Sequence, residues 1–335
     1  MRLLRLRTLP ALLLPALLGA CADSHDVVVY CALDQVHSEP LIRRFEERTG
    51  LKVRAEFDIE AHKTVGLVKR IREERSRPRC DVFWNNEIVQ TIGLAQDGLL
   101  AAYDSPSAAD IPEAFRDPGR RWTGFAARAR VFIVNTELID PGEVARLDDL
   151  LDPKWKGRCA MARPLTGTTL THFATLIDVL GEEPTFEFLR KAMGGQVNLL
   201  PGNGQVMRMV REGRAAFGLT DTDDYNVALE GGFPVASVYP DQEGAGTLVI
   251  PNTVAILADA PHPEAARELV DFILSTEVEQ ALAESASAQI PVRADVPRPA
   301  HVESAADFKV MAVDFVRVGS HITARQQRFN EMFRE

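Results

Sequence analysis

The chain has 335 residues, 46% hydrophobic and 26% charged, enough apolar material for a large core and more than one compact domain needs. Acidic residues outnumber basic ones by 48 to 38, and no basic run exceeds two consecutive residues. This balance argues against nucleic acid as a partner, because a phosphate backbone is held by clustered Lys and Arg.

The first twenty residues carry Arg2, Arg5 and Arg7, no acid, an apolar run from Leu9 to Leu18, and then Gly19, Ala20 and Cys21. Such a segment predicts an export signal over residues 1–20. Its apolar run is shorter than the roughly 20 residues that a membrane-spanning helix requires, and no later stretch approaches that length. Leu18-Gly19-Ala20-Cys21 resembles the lipobox of bacterial lipoproteins, which implies cleavage before Cys21, acylation of its thiol and a tether at 21–25 that holds the chain to a membrane without spanning it. Removing residues 1–20 takes away three arginines and no acid, so the formal charge moves from -10 to -13. Cys31, Cys80 and Cys159 then remain, an odd number with no CxxC spacing for zinc. A bridge between Cys80 and Cys159 is compatible with an oxidising compartment, but burial as small hydrophobic residues is the preferred reading.

Residues 27–30 are continuous, largely β-branched and brief, which predicts a buried strand. A helix follows, with Ser38 as its cap, Pro40 in its first turn, Leu41, Ile42 and Phe45 on its apolar face and Gly50 at its end. Leu51, Val53, Ala55 and Phe57 alternate with polar residues as a half-buried strand does, Val65, Val68 and Ile71 mark a basic amphipathic helix, and 81–84 reads as the next strand. This order predicts a mostly parallel sheet covered by helices. Strands at 129–135, 216–220 and 248–257 and helices at 167–180 and 205–211 continue the alternation. A strongly patterned helix starts at Pro263, breaks near Ser275 and gives way to a second one through Val278 and Leu282.

In open α/β sheets, ligands bind where loops leave the carboxyl ends of strands and face helix amino termini. That rule selects residues 31–37, 85–87, 165–169, 202–204 and 221–225, which hold most of the unusual polar residues of the chain. Arg128 and Arg130, two apart on a strand, share one face and are expected to point into the cleft, with Arg128 the more important. Trp84 and Trp122 are expected in the core or its rim.

Several segments together resemble the extracellular solute-binding family 1, and within it the ferric-iron-binding proteins of bacterial ABC importers. They are Val29-Tyr30, the FEERTGLKV stretch from Phe45 to Val53, Asp81-Val82-Phe83-Trp84, Arg128-Ala129-Arg130-Val131, the DPKWKG stretch from Asp152 to Gly157, Thr166-Gly167-Thr168 and Ile290-Pro291. The resemblance implies a bilobal periplasmic-binding-protein fold (type II), two α/β lobes joined by crossing strands, with ligand closing the hinge. Lobe one would take 26–127 and 255–299, and lobe two 128–254 and 300–335 with a C-terminal helix packed behind it. It also implies a monomer in the periplasm that hands its solute to an ABC permease and ATPase, with no cofactor beyond the ligand.

Iron binders of this family hold the metal with a tyrosine pair, in whose places this chain has Asp223 and Asp224, with Tyr225 one position late. His37 and Glu87 resemble the histidine and glutamate that some of them use. Arg128, the helix start at Thr166, Gly167 and Thr168, and Asn203 match the part of the site that holds an accompanying anion, while Asp221 replaces an anion-contacting asparagine and would repel an anion unless a cation lay between them. Asn85, Asn86 and Asp221 complete the expected cleft. Read only as local structure, the aspartates, Glu87, Asn85 and Asn86 can equally cap or begin helices, and His37 can face solvent.

Three functions are compatible with this pattern. One is capture of a hard metal ion, Fe(III) in the first place, by Asp223, Asp224, Glu87 and His37 or Tyr225, with an anion on Arg128 and the helix start. Another is capture of a small organic ion such as an aminoalkyl phosphonate, its acid on Arg128 and the helix start and its amine on the aspartates. The third is an enzyme on the same scaffold with Cys31 as nucleophile, for which no residue pattern identifies a general base.

Overall fold

The computed structural model describes residues 25–58 and 64–334, so residues 1–20 and Cys21 lie outside the described residues. β1 (Val27–Cys31) is buried throughout and pairs in parallel with β2 (Val53–Phe57) on one side and β3 (Val82–Asn85) on the other. The connections carry α1 (Gln35–Thr49) and α2 (Val65–Glu73), and α3 (Val89–Gln96) follows β3. α1 buries Leu41, Ile42 and Phe45 and ends at Gly50, whose φ of 77° is the left-handed cap that glycine adopts without a Cβ penalty. Its start departs from expectation. The helix begins at Gln35, and Ser38 sits inside it, its hydroxyl donating to the carbonyls of Leu33 and Asp34. His37 is therefore in the first turn of α1 and not ahead of it.

After the short β4 (Leu100–Ala101), β5 (Thr123–Asn135) runs for 13 residues, every one buried. Residues 123–129 of β5 pair with β10 (Val249–Leu257), whereas 130–135 pair with β8 (Phe217–Asp221) and β9 (Val235–Val238). β8 is joined in parallel to β6 (Cys159–Ala162), and β6 to β7 (Asn198–Leu200). The strand order β2-β1-β3-β10-β5-β8-β6-β7 passes from one lobe to the other through β5, giving the bilobal α/β architecture with crossing strands. At the crossing, pairing jumps from Pro251↔Ala127 to Asn252↔Phe125, leaving Ala126 as an extra residue at φ 36°. That unfavourable backbone is held from both sides. Buried Glu279 accepts the Ala126 N–H at 2.9 Å and Asn252 donates to the Ala126 carbonyl. Glu279 is itself paired with Arg293 at 2.9 Å.

α4 (Gly167–Val179), α5 (Glu182–Lys191), α6 (Asn203–Arg211) and α7 (Thr222–Glu230) cover the second lobe, and α8 (Pro263–Ile273) and α9 (Thr276–Glu284) the first. The break between the last two is capped by Ser275, whose Oγ accepts the Val278 N–H. α10 (Phe315–Ser320) and α11 (Ile322–Met332) touch both α3 of the first lobe and α4 of the second. Trp84 and Trp122 are core residues. Cys80 and Cys159 are buried thiols that are not bridged, and burial pushes the Cys159 thiol up to about 12. Among the described residues no helix is long and apolar enough to cross a membrane.

One close approach sets the position of α6. At Gly218 in β8 an added Cβ would lie 2.5 Å from Val206 Cγ1 and 2.9 Å from the Ala160 carbonyl oxygen. Gly218→Ala is expected to push α6 off the sheet and cost about 1–3 kcal/mol in urea unfolding.

Candidate functional site

Four strand-to-helix junctions meet between the lobes. β1 leads through Asp34 into α1, β6 through Thr166 into α4, β7 through Gly202 into α6, and β8 through Asp221 into α7. None of the four N-cap residues caps its own helix with its side chain. First-turn amides of a helix have no partner within the helix and carry the positive end of its dipole, so this geometry favours negative charge in the space between. Around that space is a cleft of about 390 Å³, lined by Asp34, Val36, His37 and Asn86 from lobe one, Arg128 from the crossing strand, and the loops 166–169 and 201–204 with Met207, Arg208, Asp221, Asp223 and Asp224 from lobe two. Its size suits a small solute.

Beneath the cleft, Arg130 is wholly buried and donates to Asp221 at 2.6 Å, to Thr168 at 3.2 Å and to Thr169 at 3.2 Å. The second oxygen of Asp221 accepts from Thr168 Oγ1 at 2.5 Å and from Asn203 Nδ2 at 3.0 Å. Asn203 also accepts from Thr169 at 3.0 Å. The cation expected between Asp221 and an anion is thus Arg130, supplied by the chain, and its pairing with Asp221 locks the starts of α4 and α6 to the end of β8. A buried charge pair resists loss of one partner much more than it adds net stability.

Arg128 is 2% exposed and spans the lobes. It donates to the Asn86 carbonyl at 2.6 Å and to Asn252 Oδ1 at 3.1 Å, and its Nε lies 3.2 Å from Asp223 Oδ2. Asp223 accepts the Asp224 N–H at 2.9 Å, and Asp224 accepts from Thr220 Oγ1 at 2.6 Å. One oxygen from each of Asp221, Asp223 and Asp224 lies within 4.8 Å of the others, a grouping that can hold a metal ion. A carboxylate offers about four lone pairs, so Asp223 and Asp224 keep acceptor capacity beyond these bonds.

Not every expected residue reaches the cleft. Glu87 is 1% exposed and its oxygens accept from the Val89 and Gln90 N–H groups, Asn85 Nδ2 and Thr171 Oγ1, so it caps α3 and ties it to α4 of the other lobe. Burial pushes its carboxyl above the usual range. Asn85 is buried in the same network, its amide also donating to Thr91. Tyr225 faces the other side of α7, in a separate cavity with Tyr239, Asn226 and His301. Cys31 is wholly buried and does not line the cleft. His37, Asn86, Thr166, Gly167, Thr168, Asn203, Asp221, Asp223 and Asp224 do line it. Sequence reasoning selected the loop that holds Asp34 without singling that residue out, and it missed the exposed Arg208. Arg208 follows Gly204 by one helical turn of α6, the i,i+4 spacing that puts both on one face.

Residues 91–318 match the family described as bacterial extracellular solute-binding protein. The chain belongs to that family. A solute-binding protein of this kind is similar to iron uptake protein A1 of Synechocystis sp., 27% identical over 92% of this chain and 87% of that one. Among solved structures, iron-bound HitA from Pseudomonas aeruginosa superposes with a TM-score of 0.82 at 24% identity, over 90% of this chain and 98% of that one. The periplasmic binding protein AfuA from Actinobacillus pleuropneumoniae with fructose-6-phosphate bound gives 0.80 at 24% identity, over 92% and 97%. For this solute-binding protein Asp221→Ala is expected to cost about 3–5 kcal/mol of stability in chemical unfolding, because it strands Arg130 in the interior.

Proposed function

We propose that this chain is the lipid-anchored, periplasmic substrate-binding component of an ABC importer and that it captures iron(III) in the cleft with an oxyanion completing the coordination. The observation that carries the reading is the carboxylate group of Asp221, Asp223 and Asp224, within 4.8 Å of one another, beside the uncapped starts of α4 and α6. Asp223 and Asp224 supply hard oxygen ligands, and His37 stands on the facing lobe. Arg130 neutralises Asp221, so an oxyanion can approach the amides of Gly167, Thr168 and Asn203 without meeting a bare carboxylate. Arg208 supplies a second cation at the rim, and Arg128 at the hinge exchanges Asp223 for the bound anion when the metal takes that carboxylate. The iron-uptake relative supports the same cargo. The anchor is acylated Cys21, and the loaded protein, a monomer, docks on its permease and ATPase.

A second reading is a small organic ion such as an aminoalkyl phosphonate. What favours it is Tyr225, which lies away from the cleft and so offers iron no phenolate there. The helix starts would take the phosphonate and Asp223 and Asp224 the ammonium group, and a phosphorylated organic solute is bound on this fold elsewhere.

Metal analysis of protein purified without chelator, followed by titration with Fe(III), Fe(II) and Mn(II), separates the two. The metal reading predicts one iron per chain and a loss of at least about tenfold in affinity, 1.4 kcal/mol, for Asp223→Ala and for Asp224→Ala, with Glu87→Gln leaving the stoichiometry unchanged. Metal-free protein that retains a small organic mass in native mass spectrometry overturns it in favour of the phosphonate.

A further inference from the structure

The carboxyl ends of β1, β2 and β3 face the cleft, and their amino ends face a different feature. Although the whole chain has a formal charge of -10, residues 69–79 hold Lys69, Arg70, Arg72, Arg75, Arg77 and Arg79 against two acids, Glu73 and Glu74. The segment runs from the end of α2 to the start of β3, and with Arg54 of β2 it borders a groove of about 500 Å³ that also touches His25 and His262. The acids of this region are already engaged. Glu56 pairs with Arg54 and Arg70, Glu74 with Arg70 and the Tyr30 hydroxyl, and buried Asp81 lies 3.0 Å from His262 Nδ1. Arg75, Arg77 and Arg79 are exposed and form no ion pair among the described residues. Asp259 lies in the adjoining small cavity with Arg75 and Arg79 and leaves the surplus positive.

The anchor read at Cys21 points to the occupant. His25 lines the groove itself, and only three residues separate it from Cys21, so the four steps between them reach about 14 Å when fully extended. We propose that this basic groove is a docking surface for the anionic phospholipid headgroups of the membrane that carries the anchor. The inference takes the orientation of the chain from the lipid-anchor reading, and the charge pattern stands without it. Juxtamembrane basic clusters are attracted to anionic lipid within a Debye length of the surface, and a polybasic patch is the second signal that makes a lipid anchor hold firmly. Seated in this way, the protein lies on the amino ends of its first-lobe strands and keeps the cleft, at their carboxyl ends, turned to the solvent.

Co-sedimentation with phosphatidylcholine vesicles, with and without phosphatidylglycerol, tests this on a chain beginning at Ala22, which keeps every described strand and helix. Whether Cys21 is acylated does not enter the measurement, so its failure is distinct from failure of the lipoprotein reading, which mass spectrometry of the membrane-extracted protein decides. The expected result is binding to the phosphatidylglycerol vesicles alone, lost at high salt. Arg77→Gln should weaken it about fivefold, and the combination Arg75→Glu, Arg77→Glu and Arg79→Glu should abolish it without changing solute affinity. Equal binding to neutral vesicles, retention by the triple variant, or displacement by millimolar inorganic phosphate, which would mark a soluble-phosphate site, overturns the proposal.

Discussion

Arg130 carries a full charge at a point of the crossing strand where no water reaches it. Moving an ion from water to a protein interior costs several kcal/mol even after relaxation, and one good partner does not repay that unless its own lone pairs are also satisfied. The requirement explains why Asp221, Thr168, Thr169 and Asn203 close one network around this guanidinium. These four come from the end of β8 and the starts of α4 and α6 in the second lobe, so satisfying one charge fixes β8, α4 and α6 relative to β5. The cleft is the surface of that network. Its amides are held in place by these bonds before a solute arrives, an arrangement that reduces the ordering cost of binding.

Next to it, Arg128 has a different task. Its bonds reach Asn86 in the first lobe, Asn252 on the other crossing strand and Asp223 in the second lobe. Two arginines on one face of one strand thus divide the work, one organising a lobe and the other bridging the hinge beside the Ala126 bulge. The cleft they leave has positive helix starts on one wall and partly committed carboxylates on another. A solute that combines a cationic centre with oxyanion character satisfies both, whether it is a ferric ion with its anion or a zwitterion. Family membership establishes solute binding, while the choice between these cargoes rests on the side chains of this chain.

Much of this was legible in the sequence, for physical reasons. The buried strands announced themselves by β-branched runs, α8 by its apolar stripe, and the cleft loops by the rule that ligands gather at the carboxyl ends of parallel strands. The misreadings are instructive at single residues. Ser38 and Pro40 look like a helix start, but Ser38 bonds backward to Leu33 and Asp34 from within α1. Grouping Tyr225 with Asp223 and Asp224 overlooked the phase of α7. From Thr222 onward, Thr222, Tyr225, Asn226 and Leu229 fall on one face by the 3.6-residue period and line one cavity, while Asp223, Asp224 and Val227 fall on the other and line the cleft. The helical period alone separates Tyr225 from the aspartates. Glu87 was beyond reach, since its partner Thr171 is distant in sequence and only the folded chain brings the two lobes together there.

The central claim is that the cleft carboxylates, and not a tyrosine, receive the cargo. Anomalous diffraction at the iron edge from crystals grown with Fe(III) and citrate tests it most directly. The account predicts one strong peak between Asp223, Asp224 and the amides at the start of α4. A peak in the cavity of Tyr225 and Tyr239, or an iron-free cleft filled by an organic phosphonate, contradicts it.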